Sequence, residues 1–256
     1  MKENTHRLVV LSGASRGMGQ AMARQLLAQG CELLTISRSR SAALDEAAQQ
    51  GCGSLLQWQL DLAQPAQAAR QLHDWLARRG ACASREAVLI NNAGVIPEIA
   101  PFSRLAPGDI AQALAVGLQA PMLLAQAFLA ATEGWSGVRR KLLNISSGLG
   151  RRPMASQACY CTAKAGLDQF SLCVALEEAR KPHGAKVCSL APGVIDTDMQ
   201  RHLRGAATQD FPDLARFEQL RQQRRLSSPE QAAAQVLAWL EREDFGERVI
   251  ADVRQP

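Results

Sequence analysis

The stretch SGASRGMG, from Ser12 to Gly19, follows a short apolar run, RLVVLS at positions 7 to 12. Glycines at such a place permit a tight turn and a close backbone approach to a pyrophosphate, which then rests at the positive end of the next helix. A glycine-rich turn alone is a weak signal, because a plain strand-to-helix turn looks the same. Its position between a first strand and an amphipathic helix favours a dinucleotide site.

The rest of the chain alternates short apolar runs with longer helical patterns. Six more strands are predicted at ELLTIS (32 to 37), SLLQWQL (54 to 60), AVLIN (87 to 91), KLLNIS (141 to 146), AKVCSL (185 to 190) and RVIADV (248 to 253). Helices are predicted near 17 to 29, 41 to 50, 64 to 79, 108 to 132, 157 to 180 and 228 to 242. This rhythm predicts an α/β fold with a parallel sheet covered by helices on both faces and joined by right-handed crossovers.

No linker-like stretch divides the 256 residues, so a single domain spanning 1 to 256 is expected. One long irregular region, at about 196 to 226, follows the sixth predicted strand. Excursions at the carboxyl ends of strands tend to cover ligands. We therefore predict that this region is a lid over the substrate.

Composition excludes several classes of function. The net charge is +5, but the arginines are spread along the chain and aromatic residues make up only 4%, which argues against a nucleic-acid partner. No uninterrupted apolar stretch approaches 18 residues and no leader is evident after MKENTHR, so a cytoplasmic protein without a membrane partner is expected. The seven cysteines lack paired metal-ligand spacing, so we expect reduced thiols and no metal.

The end of the second predicted strand indicates which dinucleotide would bind. An acid there would bind the ribose hydroxyls of NAD and repel a 2'-phosphate, but the sequence reads SRSR and has no acid between Ile36 and Ala43. Arg38, together with Arg16 of the glycine turn, can bind that phosphate, and Arg40 could substitute for Arg38. Either arginine alone is more often a surface residue. Together they favour NADP over NAD.

Two further strand ends carry polar residues. Asp61, in QLDLAQP, could accept a hydrogen bond from the adenine amino group or could cap the helix that begins near Pro65. The fourth predicted strand ends in NNAG, where small residues let the chain pass close to a cofactor. Asn91 or Asn92 would tie neighbouring strands together there.

The segment CYCTAK, residues 159 to 164, contains the only tyrosine of the chain. Four residues advance a helix by about 6 Å and return almost to the same face, so Tyr160 and Lys164 are neighbours. A nearby cation stabilises a phenolate, so Lys164 is expected to lower the pKa of Tyr160 and poise it for proton transfer to a carbonyl oxygen. Ser147 could hydrogen-bond the same oxygen. The alternative is a buried tyrosine beside a snorkelling lysine.

These residues, taken in order, resemble the short-chain dehydrogenase/reductase family over nearly the whole chain. The resemblance implies a single-domain Rossmann fold with a doubly wound seven-stranded parallel sheet and a nicotinamide cofactor, for which the SRSR stretch favours NADP(H). It implies that Tyr160 donates the proton, that Lys164 binds the nicotinamide ribose and that Ser147 orients the substrate. The cofactor contacts that it implies, besides Tyr160 and Lys164, are Gly13, Ser15, Arg16, Gly17, Met18, Gly19, Arg38, Asp61, Leu62, Asn92, Ala93, Gly94, Pro192, Gly193, Ile195 and Thr197.

Within the family, LLNISS, YCTAKAG, ALEEAR and LAPGVIDTDMQ look most like the sepiapterin reductases and their bacterial relatives, some of which reduce diketones such as benzil. Sepiapterin reductases carry an acid near the C-terminus that anchors the pterin, but Ile250 stands at that point here. Asp252 lies two residues on and would share its face of a strand, so it could take over the role. A merely solvated acid is the alternative.

The family usually has asparagine, as part of a proton relay from Lys164, where this chain reads Val116-Gly117-Leu118. The relay uses the backbone carbonyl, which glycine retains. A weakened relay is therefore expected, and Gly117→Asn is expected to leave activity equal or higher.

Substrate contacts are predicted from Leu149, Met154 and Gln157, which suit a small cyclic, aromatic or dicarbonyl compound. Two alternatives to such a carbonyl reductase remain. One is a 3-oxoacyl thioester reductase of the same family, and the other is a non-catalytic NADP-binding sensor or scaffold. The resemblance also implies a homodimer or homotetramer that pairs through the helices at 108 to 132 and 157 to 180.

Overall fold

The computed structural model of the chain describes residues 7 to 255, so residues 1 to 6 and 256 of the predicted domain lie outside the described part. Seven parallel strands form one sheet in the order β3-β2-β1-β4-β5-β6-β7. The strands are β1 (Arg7–Ser12), β2 (Glu32–Ser37), β3 (Ser54–Gln59), β4 (Glu86–Asn91), β5 (Arg139–Ile145), β6 (Lys186–Ala191) and β7 (Ile250–Asp252). The predicted seven-stranded parallel sheet is confirmed.

Both faces of the sheet are covered, because alternate side chains of a strand point to opposite faces. Val9 and Leu11 of β1 belong to one apolar cluster, whereas Leu8 and Val10 belong to the other. All four side chains are fully buried. Parallel sheets need this double cover, which explains why their strands are continuously apolar.

Helices supply the cover on the two faces. Helices α1 and α9 pack together on the first face, and α3 and α5 pack together on the second. Proline in the first turn of α3, α4 and α9 fixes where those helices begin. The helices are α1 (Gly17–Ala28), α2 (Ala42–Gln50), α3 (Pro65–Arg79), α4 (Pro107–Leu114), α5 (Ala120–Thr132), α6 (Ala158–Glu178), α7 (Asp198–Arg204), α8 (Leu214–Gln222) and α9 (Pro229–Leu240).

The helix predicted at 108 to 132 is interrupted. A π-helical turn, Ala115–Gln119, separates α4 from α5, and such turns occur frequently at functional sites. By length and composition, the whole stretch Pro107–Thr132 could cross a membrane, with a mean hydropathy of 1.6 over an 18-residue window. Half of that window is buried inside the protein, where α5 packs against α3.

The region predicted to be irregular, about 196 to 226, contains two helices, α7 and α8. The irregular interpretation was therefore wrong for this part of the chain. Its apolar side chains have a small core of their own, which we call the lid cluster and which comprises Ile99, Leu203, Phe211, Leu214 and Phe217. Phe211 is fully buried, so packing against the loop that holds Ile99 keeps the region in place.

The strand order places the reversal point of the chain between β1 and β4. The chain runs outward from β1 to β3 and then returns to add β4 on the other side of β1. In open parallel sheets, ligands bind at the carboxyl ends of the strands beside this point. The glycine turn follows β1 and the NNAG segment follows β4, so both lie there.

Candidate active site

One cavity of about 1050 Å³ opens at the carboxyl ends of the strands. Its wall brings together every site residue predicted from the sequence except Gln157. Gln157 immediately precedes α6, is 2% exposed and donates a hydrogen bond to the Ser156 carbonyl. The structure therefore places Gln157 behind the wall.

The glycine turn leaves no room for side chains. Gly17 has a φ of +56°, in the left-handed region that favours glycine. A Cβ on Gly19 would lie 2.0 Å from the Gly13 carbonyl oxygen and 2.5 Å from Asn92 Nδ2. Asn92 Nδ2 donates to the carbonyls of Ser12 and Gly13, at 3.1 Å and 3.0 Å, and so links the end of β4 to the turn. A bare turn at the start of α1 fits the pyrophosphate of a dinucleotide.

The end of β2 contributes a cation and no acid to the wall. The wall there consists of Ile36, Ser37, Arg38 and Ser39, and Arg38 is exposed. Arg40 does not line the cavity, and it donates a hydrogen bond to Asp45 at 3.1 Å. In this position Arg40 does not substitute for Arg38. The residues present fit a 2'-phosphate.

Arg16 and Asp61 have protein partners as well as a place on the wall. Arg16 Nη1 donates to Asp198 Oδ2 at 3.0 Å, which joins the glycine turn to the first residue of α7 across the cavity mouth. Asp61 Oδ1 accepts from the Ala63 amide at 2.9 Å, which is a local turn bond. The N-cap of α3 is Gln64, so the capping role considered for Asp61 is wrong.

Ser147, Tyr160 and Lys164 meet on the wall beside the glycine turn. Ser147 follows β5, and its hydroxyl accepts from the Leu149 amide at 3.1 Å, which fixes the start of a short 3-10 turn. Lys164 is 5% exposed and donates from Nζ to the Ile145 carbonyl at 2.8 Å. That Nζ lies 5.7 Å from the centroid of the Tyr160 ring.

The electrostatics of this group differ from the sequence expectation. Burial raises the pKa of the Tyr160 hydroxyl above its ordinary value, and the hydrogen bond with Ser147 opposes the rise. The expected lowering by Lys164 is therefore wrong for this structure. Burial also lowers the pKa of Lys164 to about 8, while the Asp168 carboxylate opposes that change. At neutral pH the phenol keeps its proton and the amine keeps most of its charge.

A buried polar network supports Lys164 from behind, and sequence reasoning missed it. Asp168 lies one turn after Lys164 on α6, and its Oδ1 accepts from the Ser189 hydroxyl at 2.7 Å. Its Oδ2 accepts from Arg151 Nε at 3.1 Å, and Arg151 also donates to the Ala251 carbonyl at 2.9 Å. The network ties the turn after Ser147 to α6, β6 and β7. The spacing of four residues from Lys164 was the available signal.

Gly117 lies in the π-helical turn and is buried against α6. A Cβ at this position would lie 3.0 Å from the Cβ of Ala163, the residue before Lys164. An asparagine here therefore requires α6 or the π-helical turn to yield by a few tenths of an ångström. The expectation that Gly117→Asn is harmless or helpful takes no account of this contact.

The C-terminal acid has a different role from the one suggested by its position. Asp252 ends β7 with a side chain only 7% exposed, and its oxygens accept from Nε and Nη2 of Arg254 at 2.8 Å and 2.5 Å. The side chain of Arg254 is 55% exposed and also lines the cavity. Arg254 lies in a turn two residues beyond the end of β7, so strand alternation could not predict this contact.

Metal and thiol chemistry receive no support from the described part of the chain. Within residues 7 to 255, no three His, Cys, Asp or Glu side chains come together as metal ligands. All seven cysteines are free, and burial raises the pKa values of the Cys159 and Cys161 thiols beside Tyr160.

Comparison with known proteins gives a consistent result. The family model described as short chain dehydrogenase matches residues 7 to 207. A benzil reductase ((S)-benzoin forming) from Bacillus cereus is 34% identical over 239 residues, which cover 93% of this chain and 96% of the relative. A sepiapterin reductase from Meriones unguiculatus is 32% identical over 249 residues, which cover 92% of each protein.

Solved structures extend the likeness to the fold. The crystal structure of the KRED1-Pglu enzyme has a TM-score of 0.76 and 28% identity, over 94% of this chain and 99% of that one. Other solved structures with similar folds hold NADP in one case and NAD in another. The matches therefore extend over the sheet and the cavity described above.

Proposed function

Because the chain belongs to the short-chain dehydrogenase/reductase family, whose members are NAD(P)(H)-dependent oxidoreductases that act on small carbonyl compounds, we propose that it is an NADPH-dependent carbonyl reductase. The meeting of Ser147, Tyr160 and Lys164 on one cavity wall carries this proposal. A sensor that only bound the nucleotide would not need the Tyr160 hydroxyl and the Lys164 amine together beside the position of the nicotinamide.

The reaction needs a proton as well as a hydride. NADPH supplies the hydride when it is bound. Tyr160 donates the proton to the carbonyl oxygen, and its raised pKa keeps that proton available at neutral pH. The Ser147 hydroxyl holds the same oxygen as its negative charge develops. Lys164, whose Nζ lies 3.9 Å from where a Cβ on Gly94 would be, holds the nicotinamide ribose.

The choice of NADPH over NADH rests on the end of β2. Arg38 lines the cavity with no ion pair among the residues described, and the end of β2 itself contributes no acid to the wall. Arg16 lines the same cavity from the glycine turn, where it also donates to Asp198. Two cations that flank the adenosine ribose match a 2'-phosphate, whereas NAD would offer them only hydroxyl groups.

The substrate is a cyclic, aromatic or dicarbonyl compound. Support comes from the apolar side chains near Ser147, namely Leu149, Met154 and Phe217, and from the benzil and sepiapterin reductase relatives. Pterin anchoring by Asp252 receives less support, because Arg254 and the backbone occupy its oxygens.

Residues 1 to 256 act as one domain in the cytoplasm, with α7 and α8 as the substrate lid. The subunits pair as a homodimer or homotetramer through α5 and α6. Exposed Met122 on α5, together with Leu172 and Leu176 on α6, supports that pairing, because these apolar side chains gain cover in such an interface.

The test is NADPH oxidation by the purified protein, followed at 340 nm with benzil, sepiapterin, simple ketones and a 3-oxoacyl thioester. We expect turnover of at least one diketone. Tyr160→Phe should lower kcat by about 10²- to 10⁴-fold while NADPH still binds, because only the proton donor is removed. Tight NADPH binding without oxidation by any carbonyl would instead support a sensor, and turnover of the thioester alone would support the 3-oxoacyl alternative.

A further inference from the structure

The substrate side of the cavity is basic. Five arginines line this side, and the acids that the described residues contribute to the wall of the whole cavity are Asp61, Asp198 and Asp252. Arg152, Arg216 and Arg225 make no ion pair with any residue between 7 and 255, and all three are exposed. Arg151 is paired with Asp168, and Arg254 is paired with Asp252. A wall with this excess of cations attracts an anion and repels a cation.

Arg254 lies close to the residue that follows Ser147. Its Nη2 lies 3.8 Å from where a Cβ on Gly148 would be, and Gly148 directly follows Ser147. Its Cδ lies 3.9 Å from the corresponding position on Gly193. The side chain therefore lies near the turn after β6 and brings its guanidinium close to the turn that begins at Ser147.

The pairing with Asp252 leaves one edge of that guanidinium open. Asp252 takes Nε and Nη2, which form one edge of the planar group. The other edge, formed by Nη1 and the second hydrogen of Nη2, has no acceptor among residues 7 to 255. A guanidinium has five N–H donors and can bind two carboxylates, one on each edge. Asp252 is nearly buried, so it fixes the orientation of the open edge.

We infer, on the basis of the proposed function, that the physiological substrate is a carbonyl compound that also carries a carboxylate, and that the open edge of Arg254 binds this carboxylate. Asp252 is then a positioning residue, which acts through Arg254 and does not touch the substrate. Ser147 and Tyr160 hold the carbonyl oxygen at one end of the substrate, and Arg254 holds the acid a few bonds away.

The chain contains a matched control for this arrangement. Arg242 also forms a two-point pair with an aspartate two residues away, Asp244, at 2.7 Å and 2.8 Å. The Arg242–Asp244 pair lies outside the cavity that holds Ser147 and Tyr160. Removing Arg242 changes the same kind of contact without changing the substrate site.

The experiment compares benzoylformate with its methyl ester, which differ in the charge and the methyl group. Arg254→Met should lower kcat/KM for the acid by about 10- to 100-fold, mainly through KM, because a hydrogen-bonded charge pair is lost. The loss for the ester should stay below about 3-fold. Arg254→Lys should restore part of the activity on the acid, and Arg242→Met should change neither substrate.

Asp252 requires its own variants, because Arg254→Met leaves a buried carboxylate unpaired and that can unfold the protein. Asp252→Asn should raise KM for the acid while leaving the ester nearly unchanged. The double variant Asp252→Asn/Arg254→Met removes both charges, so it keeps the test usable if the single variant fails to fold. In wild type, kcat/KM for the acid should fall as salt is added, but kcat/KM for the ester should not.

The outcomes separate this inference from the proposed function. If neither compound nor any other carbonyl oxidises NADPH, the proposed function fails. If the ester or benzil is reduced but the acid is not, or if the folded Arg254 variants affect acid and ester equally, the carboxylate inference alone is overturned.

Discussion

The two halves of the cavity are built from different parts of the chain. In the cofactor half, the glycine turn meets backbone at close range, as where Gly19 packs on the Gly13 carbonyl. In the substrate half, the wall is mainly side chains from distant segments, such as Leu149, Phe217 and Arg254. A backbone atom in close contact cannot move aside for a new side chain, whereas a side chain in contact can change its rotamer or be replaced by mutation. The cofactor half should therefore respond to substitution in an all-or-none way, and the substrate half should respond by degrees.

The largest effect is expected at Gly19. In Gly19→Ala, the new Cβ would meet the Gly13 carbonyl oxygen at 2.0 Å, so the turn must open. NADPH affinity should fall by about 100-fold or more, because a displacement near 1 Å is enough to misplace bound groups. A fluorescence titration of NADPH measures this fall.

Gly108→Ala is the matched control for Gly19→Ala. Gly108 lies in the first turn of α4, and a Cβ there has nothing within 4 Å. Its NADPH affinity should equal that of wild type, and the protein should be as stable or slightly more stable. Equal NADPH affinity in both variants would contradict the contrast between the two halves.

A smaller effect is expected where the cofactor half does use a side chain. Arg38→Ser should raise the Kd for NADPH by about 10- to 100-fold and leave NADH unchanged, because a charged contact to the 2'-phosphate is lost. Arg40→Ser, which removes the surface pair with Asp45, should change the NADPH Kd by less than about 3-fold. A similar loss for NADPH and NADH in Arg38→Ser would show that Arg38 does not read the phosphate.

The smallest effect is expected at Gly117, where a glycine packs against a side chain. Gly117→Asn should destabilise the protein by about 1 to 3 kcal/mol, because its Cβ would crowd that of Ala163. Turnover should fall only a few-fold, because Lys164 and its neighbours can shift slightly. Thermal unfolding and steady-state rates measure both effects.

Removing the Cβ of Ala163 tests whether crowding is the cause of the destabilisation. Ala163→Gly alone costs about 1 kcal/mol, as for glycine in a helix interior, but it also removes the Cβ that an asparagine at position 117 would meet. The double variant should therefore be more stable than the sum of the single effects predicts, by about 1 kcal/mol. Strict additivity would mean that crowding is not the reason.

The order and type of the elements were predictable to a large extent. Each predicted strand and each of the six predicted helices was found within two residues of its expected limits. Strand runs such as RLVVLS are continuously apolar because both faces of a parallel sheet are covered. The π-helical turn at 115 to 119 and the helices of the lid were missed. The π-helical turn depends on packing against α6. The lid helices are short, so they depend on the packing of the lid cluster.

The candidate site was predictable where a local motif carries it. The glycine turn, the NNAG segment and the Tyr160–Lys164 pair each lie within a few residues of one element, so their spacing alone places them. The pKa direction of Tyr160 was not predictable, because burial of the hydroxyl raises its pKa and burial is a property of the whole fold.

The sequence by itself determined the sheet, the helices that cover it and the chemical character of the cavity, because strand alternation, helix starts and motif spacing are short-range properties of a chain. Only the tertiary structure decided that Asp252 orients Arg254, that Asp168 supports Lys164 and that Gly117 touches Ala163. These contacts depend on distances of a few tenths of an ångström between elements and on which groups lose water when the elements pack. Neither these distances nor this loss of water can be inferred from the sequence alone.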